Sequence, residues 1–247
     1  MCGPDAGGRI SDTGADDPGF TGHDGPVSTQ EADAESGPIR VLIVDDHAMF
    51  ASSLAYVIAD EPDMHVLDTA GTAGAALQKT AAIHPDVVLL DHRLPDGDGL
   101  TLIPKLLAID PAPQIVMLTA TTSDQVLVAA IEAGVSGFID KTRDLPEVLT
   151  AVRSAAAGES LVSPRLLARL LPRLRRQQND VVQPITDREH DVLECLAEGL
   201  TNAEIAKRLN VSIHTVRNHV ANLSAKLGAH SKLEVLAIAV RRGIIAG

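Results

Sequence analysis

Aromatic residues and cysteines are both scarce in this sequence. Its 247 residues include three Phe, one Tyr and no Trp, so any core must be built from aliphatic side chains. The two cysteines, Cys2 and Cys195, lie far apart along the chain. Cys195 falls within an apolar helical pattern, where we expect it to behave as a small core residue. This use of cysteine fits a reducing compartment.

Long hydrophobic runs are also missing from the sequence. No apolar stretch approaches the roughly 18–20 residues that a membrane-spanning helix requires. The N-terminus lacks the apolar segment of a secretory signal. We therefore expect a cytoplasmic protein with no membrane partner.

Positive charge is in deficit overall, with a formal net charge of −12, but its distribution is uneven. Residues 1–38 carry eight acids, one base and little apolar pattern, so we expect a disordered acidic tail. Residues 201–247 carry seven bases and two acids. Because local charge decides contact with nucleic acid, DNA binding is expected at this basic end.

Apolar runs of strand length alternate with helical patterns between residues 39 and 158. Such alternation predicts an α/β domain with a parallel sheet and right-handed crossovers. The run before Asp91 is apolar throughout, which is typical of a strand buried on both faces. The predicted strands are 39–44, 64–67, 87–91, 114–118 and 137–140, and the predicted helices are 48–59, 72–82, 100–108, 124–133 and 145–157.

Polar residues with reactive side chains follow or close four of the five predicted strands. Parallel strands place these ends on one edge of the sheet, where open α/β sheets bind their ligands. Clustered carboxylates favour a divalent cation, and Mg²⁺ prefers carboxylates together with water and phosphate oxygens. A lysine and a threonine beside them suit an anion with several oxygens, so we expect phosphoryl transfer to the Asp91 carboxylate. The residues concerned are Asp45, Asp46, Asp91, Thr119 and Lys141.

A Mg²⁺-dependent hydrolase that uses Asp45, Asp46 and Asp91 is one alternative. The sequence offers no segment for a substrate pocket or lid, and such an enzyme leaves residues 185–247 unexplained. We therefore expect no independent enzyme activity. Turnover of small phosphoesters would distinguish the two hypotheses.

Residues 159–184 are expected to form a partly helical linker. Ser163-Pro164 is a favourable helix start, and Pro172 is expected to kink or end the helix. Five arginines and no acid fall within residues 160–179. Their contacts are left open among DNA, the acidic N-terminal domain and solvent.

Closely spaced helix starts mark the C-terminal module. Thr186 and Thr201 each precede a glutamate by three residues, which is the pattern of a capping box. Ser212 is placed to cap a third helix, and so short a turn before it predicts a helix-turn-helix. Ser231 begins a fourth helix whose apolar surface exceeds the needs of one core and would suit a dimer interface.

The third helix of this module has two different faces. Ile213, Val216, Val220, Leu223 and Leu227 recur at spacings of three and four residues and are predicted to face the core. The opposite face offers side chains suited to base edges, with alanines that allow close approach to the major groove. Flanking side chains are placed for phosphate contact. The predicted DNA-binding residues are Thr215, Arg217, Asn218, Ala221, Asn222 and Lys226.

Residues 39–158 resemble a bacterial response-regulator receiver domain. The resemblance rests on the pair Asp45-Asp46, on Asp91 ahead of the turn at residues 94–99, on Thr119-Ala120, and on Phe138 three residues before Lys141. It implies a flavodoxin-like fold with strand order 2-1-3-4-5.

The receiver resemblance also implies roles for individual residues. Asp91 is implied to be the phosphoacceptor, with a sensor histidine kinase as the donor. Mg²⁺ is implied to be held by Asp45, Asp46, Asp91 and the Arg93 carbonyl. Thr119 and Lys141 are implied to contact the phosphoryl group, and Thr119 and Phe138 are implied to form the switch pair. His47 is expected at the rim, as a helix-start residue.

Residues 185–243 resemble the LuxR-type helix-turn-helix, within a module that we place at residues 185–247. Thr186, Glu189, Asn202 and Thr215-Val216 are among the matching positions, and Lys232 stands where the family usually has Arg. A receiver joined to this module is the NarL/FixJ type of response regulator. It implies a transcription regulator that binds double-stranded DNA as a homodimer when phosphorylated. The alternative is a DNA-binding regulator whose receiver acts only in dimerisation, without phosphorylation.

Overall fold

The computed structural model describes residues 37–245, except for gaps at 121–122, 142–143, 161, 163 and 171–183. The expected disordered tail over residues 1–38 therefore falls outside the described residues except for its last two positions, and the expected helix break at Pro172 falls outside them as well.

A five-stranded parallel sheet forms the centre of the N-terminal half. Its order is β2-β1-β3-β4-β5, and all neighbouring strands run parallel, which confirms the predicted flavodoxin-like order. β3 pairs with β1 and β4 and is buried along its whole length, which explains its continuous apolar sequence. The strands are β1 (Ile39–Val44), β2 (Met64–Ala70), β3 (Val87–Asp91), β4 (Gln114–Thr119) and β5 (Gly137–Asp140).

Strand β2 continues three residues past its predicted end. Asp68, Thr69 and Ala70 pair with the last three residues of β1 after a register shift. β2 lies at the edge of the sheet, where one flank is free of strand neighbours and polar side chains are tolerated. Because Asp68 and Thr69 are polar, the hydrophobicity pattern did not reveal this extension.

Helices cover both faces of the sheet. One core cluster joins Ile43 and Leu89 to α1 and α5, and another joins Leu42 and Leu90 to α2 and α3. Successive strand residues thus face opposite layers. The helices are α1 (Ala48–Ala59), α2 (Ala73–Ile83), α3 (Gly99–Leu107), α4 (Asp124–Ala133) and α5 (Leu145–Ala156).

The C-terminal part is helical, and its predicted helix starts are confirmed. Thr186 and Thr201 form complete capping boxes, and the side chains of Ser212 and Ser231 each accept a bond from the amide three residues later. Asn210 adopts a left-handed backbone conformation, with φ of 52°, and turns the chain from α8 into α9. The helices are α6 (Pro164–Leu170), α7 (Asp187–Ala197), α8 (Asn202–Leu209), α9 (Ile213–Leu227) and α10 (Lys232–Arg241).

The predicted apolar stripe of α9 was wrong at its first residue. Ile213 is 45% exposed, whereas Val216, Leu223 and Leu227 are buried in the helical core. Ile213 is the first residue of α9, just after the cap, and it lies outside the surface that the neighbouring helices cover. Helical periodicity gives the direction of a stripe but not where the packed core begins.

Helix α4 packs into the core of the C-terminal helices. Its Leu127 and Ile131 are buried in the same cluster as residues of α6 to α10. This cluster includes the free cysteine Cys195, which is buried as predicted for a small core residue. Phe138 of β5 is half-buried and contacts both this cluster and one core layer of the sheet. The two halves therefore share one continuous apolar contact.

No helix in the described part of the chain is both long and apolar enough to span a membrane.

Candidate functional site

An acidic pocket lies at the carboxyl edge of the sheet. Asp45 follows β1, Asp91 is the last residue of β3, and Lys141 follows β5. The Lys141 Nζ lies 2.6 Å from Asp45 Oδ2 and 2.7 Å from Asp91 Oδ2. One ammonium therefore bridges two carboxylates that are themselves nearly fully buried.

The environment of Lys141 explains its charge. Burial alone would lower the pKa of Lys141, but its hydrogen bonds to Asp45 and Asp91 outweigh burial and raise its pKa above the ordinary lysine value. The ammonium also lies 5.1 Å from the centre of the Phe50 ring, within the range of a cation–π contact. Lys141 is thus held as a cation at the pocket.

Further ligand atoms surround the two bridged carboxylates. His47, the cap residue of α1, places its Nδ1 2.8 Å from Asp46 Oδ1 and 3.2 Å from Asp45 Oδ1. Ligand atoms of Asp45, Asp46, His47 and Asp91 all lie within 4.8 Å of one another. Three carboxylates at this spacing form an oxygen-rich donor set of the kind that hard divalent cations prefer.

The pocket opens to solvent through a cavity of about 580 Å³. Thr119 ends β4 and is 4% exposed, and the Lys141 amide donates to its carbonyl at 3.0 Å. Arg93 is exposed, in a short hairpin where it pairs with Asp98. The cavity is lined by His47, Phe50, Asp91, His92, Arg93, Thr119, Ala120 and Lys141.

Gly99 lies directly behind the buried carboxylate. A Cβ atom at this position would overlap the carbonyl oxygen of Asp91 and crowd that of His92. The first turn of α3 can therefore approach the end of β3 only because residue 99 has no side chain. This close approach fixes the backbone that carries Asp91.

Phe138 does not line the cavity that contains Asp91. It sits on β5, whose neighbour is β4, and its ring packs toward α4 and the C-terminal helices. The structure therefore brings five of the predicted residues together in the cavity or at its wall, with Asp46 beside them: Asp45, Asp91, Arg93, Thr119 and Lys141. Phe138 instead lies between a core layer of the sheet and the core of the C-terminal helices.

The C-terminal helices present the predicted DNA-binding face of α9. Arg217, Asn218, Ala221 and Asn222 are exposed, and Thr215 is half-buried beside its cap residue Ser212. These residues lie together on the outer side of a helix whose other side packs into the core.

Lys226 is engaged inside the module. Its Nζ lies 2.6 Å from Glu189 Oε2 and 3.1 Å from the carbonyl of Pro184. Burial would raise the pKa of Glu189, but hydrogen bonds from Lys226 and Thr186 lower it below the ordinary glutamate value. A phosphate contact by Lys226 would have to compete with this pair, and that contact stays a prediction.

Sequence reasoning missed two residues near these sites. Phe50 underlies Lys141, and the only signal was an aromatic residue four positions after Asp46. Glu159, at the start of the linker, contacts Asn202 and Lys232 of the C-terminal module. No local pattern could have revealed the second contact, because it depends on how the two halves dock.

An acidic pocket of this kind at strand ends, joined to a helix-turn-helix, defines a class of two-part signalling regulators. Residues 41–153 match the family described as response regulator receiver domain, and residues 183–239 match the bacterial regulatory proteins of the luxR family. The chain therefore belongs to the response regulators that combine a receiver domain with a LuxR-type DNA-binding domain. The predicted family and fold are therefore confirmed.

Individual relatives agree with this assignment. The DNA-binding transcriptional activator DevR/DosR of Mycobacterium tuberculosis (strain ATCC 25618 / H37Rv) is 37% identical over 203 residues, which are 81% of this chain and 94% of that protein. A LuxR-family two-component response regulator from Aurantimonas sp. SI85-9A1 is 27% identical with a TM-score of 0.51, covering 56% of this chain and 98% of that one. RcsB, in a structure of two dimers bound to two parallel DNAs, shares the fold at 24% identity and a TM-score of 0.50, with coverage of 83% and 99%.

Proposed function

We propose that this response regulator is switched by phosphorylation of Asp91 by a sensor histidine kinase, and that the phosphorylated form binds double-stranded DNA as a homodimer in the cytoplasm. The observation that carries the proposal is the Lys141 ammonium shared by Asp45 and Asp91 at an open cavity. A nucleophilic carboxylate beside a fixed cation, open to a donor from solvent, suits acceptance of a phosphoryl group. We propose domain bounds of 39–158 for the receiver, 159–184 for the linker and 185–247 for the DNA-binding domain.

The donor set of the pocket fits Mg²⁺. Asp45, Asp46 and Asp91 provide closely spaced carboxylates, and the Arg93 carbonyl is the further ligand that we assign. When bound, Mg²⁺ neutralises charge on the phosphoryl oxygens. Lys141 and Thr119 supply the remaining contacts to the phosphoryl group, as a cation and a hydroxyl donor.

Phe138 and α4 support a route from the pocket to the DNA-binding domain. Thr119 and Phe138 lie on the neighbouring strands β4 and β5, and Phe138 contacts the cluster in which α4 meets α6 to α10. Just after the C-terminal end of α4, the Val135 carbonyl accepts a hydrogen bond from the Ser231 hydroxyl at 2.8 Å. A rearrangement at Thr119 and Phe138 would therefore loosen the contact between α4 and α10.

The recognition surface of α9 faces the receiver in this arrangement. Arg217 and Ala221 line a cleft of about 270 Å³ whose opposite wall includes Gln114, Ala157 and Gly158. This cleft is too narrow for a DNA duplex. Phosphorylation would then open the approach to Arg217 and Ala221, and with them to the DNA-binding face of α9. It would also free the apolar surface of α10 for pairing with a second copy.

The deciding experiment compares DNA affinity with and without beryllofluoride plus Mg²⁺, which imitates the aspartyl phosphate. The wild type should bind DNA more tightly when activated, and Asp91→Ala should show no such gain while keeping its basal affinity. If the wild type and Asp91→Ala dimerise and bind DNA equally in both conditions, the receiver acts only in dimerisation and the phosphorylation proposal fails.

A further inference from the structure

Glu159 joins the receiver to the DNA-binding domain through an anion-binding site on the latter. Its Oε1 accepts a hydrogen bond from the backbone amide of Asn202, the first residue of α8, at 3.1 Å. Its Oε2 accepts one from Lys232 Nζ at 2.7 Å. The amide belongs to the positive end of a helix, so both partners of the carboxylate favour negative charge.

Lys232 is deeply buried for a charged residue. Only 6% of its side chain is exposed, compared with 22% for Glu159, and its other close contact is the Leu200 carbonyl at 3.4 Å. Glu204 also lies close enough to attract Lys232, although its carboxylate accepts hydrogen bonds at 2.8 Å from the amide and hydroxyl of Thr201. When the receiver moves away with Glu159, Lys232 loses its hydrogen-bonded carboxylate, and its ammonium and the Asn202 amide face the opened cleft. Two such donors favour a new anion at this place.

The junction around Glu159 is also poorly satisfied by the rest of the chain. The Ser160 hydroxyl and the Asn202 Oδ1 are both buried, and neither has a hydrogen-bond partner among the described residues. Asn202 itself is 2% exposed. Buried polar atoms without partners destabilise the state that contains them. These two unpaired atoms therefore offset part of the stability that the Glu159 hydrogen bonds give to the closed form, in which the receiver packs against the DNA-binding domain.

The position of this site points to the anion that replaces Glu159. Asn202 and Lys232 line the same cleft as Arg217 and Ala221 of the recognition helix. A duplex that reaches α9 would bring its backbone along this wall, and helix amino-termini commonly hold DNA phosphates. We propose that the Asn202 amide and Lys232 form a DNA phosphate-binding site, which Glu159 occupies as a carboxylate substitute in the closed form.

This inference rests on the proposed function and adds a contact and a means of control to it. Lys232 joins the DNA-binding residues, although the face of α9 did not identify it. Glu159 competes with DNA directly, so release of the receiver and exposure of the phosphate site are one event. Since a phosphate contact does not depend on base sequence, a random-sequence duplex is a sufficient probe.

The test measures binding of the full chain to a random-sequence DNA duplex across a range of salt concentrations, with and without beryllofluoride plus Mg²⁺. Glu159→Gln keeps the shape of the side chain and removes its charge. It should raise the affinity of the unactivated protein on the order of tenfold and change the activated protein little. The matched control is Glu194→Gln, which alters an exposed glutamate on α7. It should change the DNA affinity of neither the unactivated nor the activated protein.

Lys232→Gln should weaken DNA binding by the activated protein and reduce the slope of log affinity against log salt by about one. Lys232→Arg should restore the slope, which separates a phosphate contact from a loss of folding. Lys105→Gln, an exposed lysine on α3, controls for net charge. An unchanged basal affinity in Glu159→Gln, or an unchanged slope in Lys232→Gln, would overturn the proposal. If both variants behave as expected but the wild type gains nothing from beryllofluoride, the phosphorylation proposal fails and this site stands.

Discussion

The acidic pocket and the recognition helix are built in opposite ways. The pocket gathers side chains that are distant in sequence, since Asp45 and Lys141 are 96 residues apart and meet only because their strands are parallel. The DNA-reading face lies on one helix, α9, and its start is fixed by a local cap at Ser212. A site made by topology depends on the whole sheet, whereas a site made by one helix depends on a few local contacts.

The two regions also treat charge differently. In the pocket, one cation serves two buried carboxylates, and a third carboxylate, Asp46, lies beside His47. In the DNA-binding domain, Lys226 and Glu189 form a single pair that stabilises the fold. The pocket therefore carries an excess of negative charge, which phosphorylation would alter, whereas the pair of Lys226 and Glu189 is neutral. Substitutions should therefore affect function at the first and stability at the second.

The largest effect is expected for Lys141→Met. The charge that develops on the phosphoryl oxygens would lose its fixed cation, so the rate of phosphorylation by acetyl phosphate should fall roughly 100-fold or more. Lys79→Met, which removes a surface lysine paired with Asp68, is the control and should keep the wild-type rate. A normal rate in Lys141→Met would mean that the convergence of strand ends is not what makes the pocket reactive.

Lys226→Met should instead destabilise the DNA-binding domain. Glu189 would be left as a buried carboxylate without its cation, which should cost about 3 kcal/mol in the free energy of unfolding. Denaturant unfolding of the full chain measures this cost. Arg208→Met, which breaks an exposed pair with Glu198, should cost less than about 1 kcal/mol.

The same Lys226 variant also tests its predicted DNA contact. If Lys226 serves only the fold, the salt dependence of DNA binding should keep its wild-type slope. A slope reduced by about one would show that Lys226 contacts a phosphate as well.

Arg217→Ala should have a smaller effect, confined to DNA recognition. Loss of a base contact costs about 1–3 kcal/mol, or roughly 5- to 150-fold in affinity, at the position it reads. Comparing a selected operator with a random duplex separates base reading from phosphate contact. Lys105→Ala is the control. An equal loss on both duplexes would contradict base reading by Arg217.

Local signals in the sequence predicted more of the structure than long-range ones did. The caps at Thr186, Thr201, Ser212 and Ser231 were predicted because a helix start depends on neighbouring residues. The strand order followed from a family resemblance, and the apolar pattern alone fixed only that the sheet is parallel. The extension of β2 was missed because its polar residues lie at a sheet edge.

The contact between the two halves could not be predicted. Periodicity identified excess apolar surface on α10, and a second copy of the chain was the expected occupant. In the structure α4 packs into that cluster through Leu127 and Ile131. An apolar helix face predicts that some other surface will pack against it, but several surfaces of similar hydrophobicity could do so equally well. The choice depends on shape and on polar contacts such as Glu159 with Lys232.

The smallest expected effect concerns pH and separates two capping boxes of the same design. The pKa of Glu189 is lowered in the folded state from an ordinary value of 4.5, despite burial, by bonds from Lys226 and Thr186. A lowered folded pKa means that the unfolded chain binds the proton more tightly. The stability contributed by Glu189 is therefore complete above pH 4.5 and is lost as the pH falls through its folded pKa.

Glu189→Gln should make acid unfolding of the C-terminal helices less steep, as followed by circular dichroism. Glu204, whose pKa is also lowered by its box with Thr201 but which is exposed, provides the comparison, and Glu204→Gln should change the acid transition less. Equal changes in the two variants would show that the capping box alone, and not the buried partnership with Lys226, sets the acid sensitivity of this domain.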